Sequence, residues 1–249
     1  MNNEVSNAMA EFTTQLKTVY SDDLLALILY GSAAGNTYRA GVSDINVLVI
    51  LENSNAAKIF SLGKTVKSLL RKNRISPFIM TREEFTTAAD VFPLEYCDIL
   101  ENNALVYGNS DILKIKVTMA NLRSELEEKL RGAVGDLRNI LIEAEGNEKI
   151  LKDLILGWSG IGNIVFRGLL RLKKVNVSGM DSKAILAETE KEYGVKLDAF
   201  LLLNDLRQSK KSKHKRSVVP ETASVFADTL LEPLKALVRA VDAMDGGTK

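Results

Sequence analysis

Two short apolar runs, Leu24–Tyr30 and Ile45–Leu51, constrain this chain more than any other feature. Each is too short to span a bilayer and has the length of a strand buried on both faces. Such strands belong inside a sheet, and these two read as neighbours in the same one. The first run ends at Gly31-Ser32, the second opens on Asp44-Ile45-Asn46, and eleven residues separate the two motifs. Glycine tolerates the backbone of a tight turn and lets a phosphate approach, while serine can cap a following helix and offer its hydroxyl to a phosphate oxygen. Amides at such a helix start favour an anion. Asp44 and Asn46, two apart at a strand entrance, project the same way, toward whatever Gly31 and Ser32 hold. Mg²⁺ carrying nucleotide phosphates suits that set. The plain structural alternative is that Asp44 and Asn46 cap a turn and that Gly31-Ser32 is a strand-to-helix connection.

The flanking patterns extend the same domain. Phe12, Leu16 and Val19 recur at helical spacing, so residues 5–20 are expected to form a leading helix over the sheet. Residues 56–71 read as an amphipathic helix with Ile59, Leu62, Val66, Leu69 and Leu70 inward, followed by a third strand, Ile75–Met80. Strand, helix, strand implies a crossover connection. Thr81 with Glu84 three residues later has the form of a capping box and starts another helix. The domain is expected to close near Gly108, giving a first domain of residues 1–110 and a second of residues 111–249.

Gly31-Ser32, a spacer, then Asp44-Ile45-Asn46 opening a strand resembles the nucleotidyltransferase superfamily that includes polymerase β. Pro77–Phe85, Val91–Glu95 and Leu105–Gly108 look like later parts of bacterial members, so the resemblance covers the first domain. It implies an α/β (α+β) nucleotidyltransferase-like domain with a small mixed sheet. It also implies transfer of a nucleoside monophosphate from a nucleoside triphosphate to a hydroxyl or similar acceptor of unknown identity. The Gly31 amide and Ser32 would hold the terminal phosphates, with Asp44 and Asn46 as catalytic and metal-binding residues around Mg²⁺. Active members usually carry three carboxylates, two in an Asp-x-Asp pair and one on a later strand. Here Asn46 takes the place of the second, and Ile75–Met80 contains no acid. An amide oxygen brings no charge, and two close Mg²⁺ ions need anionic ligands to offset their repulsion, so the set suits a single ion. Glu52, Glu95 and Asp98 are the substitute acids, but Glu52 lies six residues past Asn46, about 20 Å away at strand rise. Three readings stand: an active transferase, a catalytically impaired nucleotide-binding or regulatory protein, and an interaction protein whose cleft is vestigial.

Beyond Ile112 the period changes to that of an all-helical half. Leu122, Leu126, Leu130, Val134, Leu137 and Leu141 mark one long helix, with Glu125–Lys129 and Glu127–Arg131 as pairs on its wet face. Gly146-Asn147 ends it, and residues 150–172 read as a second helix, apolar nearly all round, whose Gly157, Gly160, Gly162 and Gly168 serve close packing. Helices over residues 182–193, 197–207 and 221–244 complete the half. Between two of them runs Lys210-Lys211-Ser212-Lys213-His214-Lys215-Arg216. A solvated loop is the favoured reading, and a phosphate clamp or RNA contact through Lys210, Lys211, Lys213, Lys215 and Arg216 the other; no aromatic residue is interleaved for base stacking. His214 among these cations resists protonation and is assigned no catalytic role.

A net charge of +1 attracts neither nucleic acid nor membrane globally. One cysteine, Cys97, excludes an internal disulfide, and with one histidine it excludes a single-chain zinc site made only of Cys and His. Cys97 reads as a core residue. The start MNNEVSNAMAEF lacks the form of a signal peptide, and no run reaches membrane-spanning length, so a cytoplasmic protein is expected, with a homodimer through the helical half left open.

Overall fold

The computed structural model describes residues 3–35, 38, 40, 43–158, 160–211 and 222–244, the side chains of 207–211 excepted. The chain divides into two compact units, Met1–Asn121 and Leu122–Lys249. It is mixed α/β, with a four-stranded mixed sheet in the first unit and, among the described residues, helices without strands in the second.

In the first unit the order along the chain is α1 (Asn3–Tyr20), β1 (Leu24–Tyr30), β2 (Ile45–Leu51), α2 (Ala56–Asn73), β3 (Ile75–Thr81), α3 (Arg82–Thr87), α4 (Pro93–Glu101) and β4 (Asn103–Gly108). The sheet runs β3-β2-β1-β4, with β2 and β3 parallel and β1 antiparallel to both β2 and β4. The parallel pair is the one joined by α2, as a crossover requires. The two apolar runs are thus the central strands. Leu27, Leu29, Val47 and Val49 pack with Phe12, Leu16, Leu62 and Val66 from α1 and α2. Ala26, Ile28, Leu48 and Ile50 pack on the opposite face with Phe85, Tyr96 and Ile99 from α3 and α4. Each fully buried aliphatic side chain of this kind contributes roughly 1.5–3 kcal/mol. Ile112, Leu113, Ile115 and Val117 continue past Gly108 against that second face.

Local signals explain the edges. Pro77 has no N–H to give, and β3 is an edge strand where none is needed on one side. Thr81 and Glu84 complete the reciprocal capping box at the start of α3. Tyr96 stacks on Phe85 at 4.7 Å and donates its hydroxyl hydrogen to the Phe85 carbonyl at 2.6 Å, tying α4 to α3. Ile59, expected inward on α2, is 46% exposed; Leu62, Val66 and Leu69 are buried, and Leu70 packs partly buried against the same core.

The second unit begins within α5 (Met119–Glu143), which buries Leu122, Leu126, Leu130, Val134 and Leu137 as their spacing demands. Glu127 bonds Arg131 at 2.7 Å on its surface, but Glu125 is buried and stands 3.9 Å from Lys129, so that pair does not belong to a wet face. Positive φ at Glu145 and Gly146 closes the turn, and Asn147 caps α6 (Glu148–Gly157) by accepting from Lys149 and Ile150. The single helix expected over residues 150–172 is two, α6 and α7 (Asn163–Leu172). Trp158 leaves the helical region at ψ 123°, and its indole lies where a Cβ on Gly160 would be 2.1 Å from Nε1. Gly160 therefore makes room for the indole at a helix break. Then come α8 (Ser182–Tyr193), α9 (Asp198–Lys211) and α10 (Ala223–Asp242). Glu148 accepts the Ala223 N–H and the Ser224 hydroxyl, the latter at 2.8 Å, which joins the starts of α6 and α10. Among the described residues no helix is long and apolar enough to cross a membrane.

Gly108 ends β4 at φ +84°, and a Cβ there would stand 1.8 Å from the Leu25 carbonyl oxygen. Gly108→Ala is expected to cost roughly 3 kcal/mol in urea unfolding. Gly63→Ala, in the interior of α2 with nothing within 4 Å of the added carbon, is expected to gain about 0.5–1 kcal/mol.

Candidate functional site

Because β1 and β2 are antiparallel, the end of one lies beside the start of the other. Tyr30 pairs with Asn46 across the ladder, which carries Gly31 and Ser32 to the mouth where Asp44 precedes β2. Gly31 takes φ +67°, a conformation that favours glycine, and an ideal Cβ there would be 3.5 Å from Asn46 Nδ2. The Asn46 side chain therefore lies directly over the glycine. Ser32 follows, half-buried, in a single 3₁₀ turn, Gly31–Ala33.

Two details differ from expectation. Among the described residues no α-helix follows Ser32 before β2, and the single 3₁₀ turn that it belongs to supplies no sizeable dipole. The Gly31 N–H is donated to the Asn102 carbonyl at 3.0 Å, and the Gly31 carbonyl accepts from Ala34 and Gly35, both at 3.2 Å. The Gly31 amide is thus spent on holding β1 to the end of α4 and is not presented to a phosphate. What Gly31 contributes is the turn and the close approach.

Asp44 is exposed, and its Oδ1 stands 2.7 Å from Arg74 Nη2. Arg74 closes α2 in the left-handed region, φ 54° and ψ 40°, which costs a residue with a side chain roughly 1–2 kcal/mol. Its carbonyl accepts the Ile45 N–H at 2.9 Å, so the parallel register sets residues 74 and 44 side by side. At 57% exposure for Asp44 and 34% for Arg74, the ion pair is worth about 0–1 kcal/mol.

Asn46 shares its face with Leu48 and Ile50, the face covered by α3 and α4. Tyr30 packs there too. Burial, and after it the charges of Glu95 and Asp98, push the Tyr30 phenol up to about 12. Glu95 and Asp98 of α4 therefore lie on the Asn46 side of the sheet, near Tyr30. Glu52 sits beyond the far end of β2, bonded to Arg82 at 3.1 Å, and takes no part. On β3 the residue paired with Asn46 is Ser76, and β3 carries no acid. Among the described residues no group of three or more His, Cys, Asp or Glu is arranged to hold a metal ion. Lys210 and Lys211 end α9, while Ser212, Lys213, His214, Lys215 and Arg216 lie outside the described residues.

Arg74 and Tyr30 are the two site residues that the motif does not mark. The signal for Arg74 is register: if Ile75 begins a strand parallel to the one that Ile45 begins, the residue before each must be a neighbour of the other. Tyr30 precedes the glycine by one and reads as the end of an apolar run.

A cleft of about 400 Å³ opens at the same end of the sheet, on the α1 and α2 side, with Glu11, Tyr38, Lys72 and Arg74 among its walls. Arg74 borders both this cleft and Asp44.

No family model and no curated protein matches the sequence. Among solved structures the chain is similar to a crystal structure of the spectinomycin adenyltransferase of Enterococcus faecialis with ATP and spectinomycin, at TM-score 0.58 and 11% identity over 92% of this chain and 98% of that one. The fold is nucleotidyltransferase-like.

Tyr30 should remain a phenol past its ordinary value of 10.0 and ionise near pH 12 in an ultraviolet titration. Raised in the folded state, it contributes stability that is intact below pH 10 and is lost as the pH rises through 12. Tyr30→Phe removes that part of the alkaline loss, and Glu95→Gln moves the titration down; a wild-type minus Tyr30→Phe difference that places the Tyr30 ionisation at its ordinary value would contradict the burial.

Proposed function

We propose that this protein binds a nucleoside triphosphate with Mg²⁺ at the mouth between β1 and β2 and transfers the nucleoside monophosphate to a hydroxyl-bearing acceptor. The observation that carries this reading is the pairing of Tyr30 with Asn46, which puts Gly31-Ser32 and Asp44-Ile45-Asn46 at one end of the sheet in a fold shared with an adenyltransferase solved with ATP. In the transfer, an acceptor hydroxyl oxygen attacks the α-phosphorus and its proton passes to solvent, the bond to the bridging oxygen of the β-phosphate breaks, and pyrophosphate leaves. Ser32 offers its hydroxyl to the terminal phosphates, and Gly31 lets them close to the backbone. Asp44 and Asn46 supply one anionic and one neutral oxygen ligand. Mg²⁺ takes one or two carboxylates and fills the rest of its shell with phosphate and water, so this donor set fits a single ion that arrives with the nucleotide. When bound, that ion neutralises charge on the phosphates.

A second reading is favoured by Ser76. With a serine opposite Asn46 and no acid on β3, that strand offers no carboxylate to take the proton of an attacking hydroxyl. The same site would then bind nucleotide without transferring it, as a sensing or scaffolding protein.

Calorimetric titration with Mg-ATP tests the shared part: binding is expected, weakened at least tenfold, or about 1.4 kcal/mol, by Asp44→Ala. Pyrophosphate release separates the two readings. Turnover by the wild type that Asp44→Ala abolishes supports the transferase, whereas release only after Asn46→Asp supports the binder. Absence of any heat or thermal shift with nucleotide defeats both.

A further inference from the structure

A cation already stands on the carboxylate assigned to the metal. Arg74 Nη2 lies 2.7 Å from Asp44 Oδ1, and the backbone that carries it is fixed: its N–H closes α2 on the Leu70 carbonyl, and its own carbonyl is held by Ile45, which leaves the guanidinium beside Asp44 while its side chain can still turn. Position 74 has the left-handed conformation that glycine fills at most helix ends, yet an arginine fills it. A divalent ion approaching Asp44 meets that guanidinium on the same oxygen. Even with water-like screening, a +1 charge about 5 Å from a +2 ion weakens the ion's binding roughly tenfold. Arg74 Nε, meanwhile, is buried with no hydrogen-bond acceptor. A phosphate can take two parallel N–H bonds from one guanidinium edge, Nε and Nη2 here, once the guanidinium turns out from Asp44.

We propose that Arg74 is the resident counter-ion of Asp44 and gates the metal. In the protein alone Arg74 excludes a divalent cation from this carboxylate. A polyphosphate draws the guanidinium to its own oxygens, Asp44 is released, and the cation enters with the polyphosphate. Metal and phosphate then bind with positive coupling, and the coupling is reciprocal. This rests on the reading of Asp44 as the metal ligand, but its first consequence needs no nucleotide.

Mn²⁺ alone, titrated into the full-length protein and followed by the electron paramagnetic resonance of the free ion, tests it. Wild-type protein should bind Mn²⁺ no more tightly than Asp44→Asn. Arg74→Gly and Arg74→Asn, both compatible with a left-handed backbone, should bind it roughly tenfold more tightly, and adding Asp44→Asn should erase the gain. Melting curves establish that the variants are folded; Arg74→Gly should melt no lower than the wild type, since the strain it relieves matches the weak pair it loses. Wild-type protein that binds Mn²⁺ through Asp44 without nucleotide, or folded Arg74 variants that gain nothing, would overturn the gate. Mg-ATP binding by the wild type can succeed whatever Mn²⁺ does alone, so failure of the gate and failure of the nucleotide site are told apart.

Discussion

A pair of antiparallel strands sealed on both faces has only its ends in contact with solvent, and everything functional in the first unit follows from that confinement. β1 and β2 put aliphatic side chains into two separate cores, one under α1 and α2 and the other under α3 and α4. Polar residues are tolerated only where the strands run out, because an unpaired polar group in either core would cost several kcal/mol. Antiparallel pairing then brings two such ends together: the turn after Tyr30 and the approach to Ile45.

At that mouth the charges are arranged sparingly. Asp44 is the one carboxylate at the strand entrance, and Arg74 answers it; Asn46 is neutral and lies over Gly31. Glu95 and Asp98 approach from α4 but stand by Tyr30, whose phenol they and its burial hold in the protonated form. Asp44 and Arg74 cancel each other at the strand entrance, and Glu95 and Asp98 add negative charge beside Tyr30.

The glycines show how one residue type answers different demands. Gly31 and Gly108 both have positive φ, but Gly108 is also pressed against the Leu25 carbonyl, whereas Gly31 leaves room that Asn46 occupies at van der Waals distance. Gly160 yields to the Trp158 indole, and the helix expected through it breaks there because an apolar face with periodic spacing does not report a tryptophan folded back on its own chain. The same blindness applies to Ile59, in register with the buried stripe of α2 yet one turn too early to be covered.

Period and punctuation in the sequence alone determined the central strands, the crossover helix, the capping box at Thr81 and the motif at Gly31 and Asp44, because each depends on spacing within a few consecutive residues. Tertiary structure decided the rest. Which acid of Glu52, Glu95 and Asp98 comes near the mouth depends on where β2 ends and on how α4 lies over the sheet. That the Gly31 amide serves Asn102, that Ser76 faces Asn46 and that Arg74 covers Asp44 are consequences of strand register. Register is a relation between distant segments, fixed by the joint burial of both, and no window of neighbouring residues contains it.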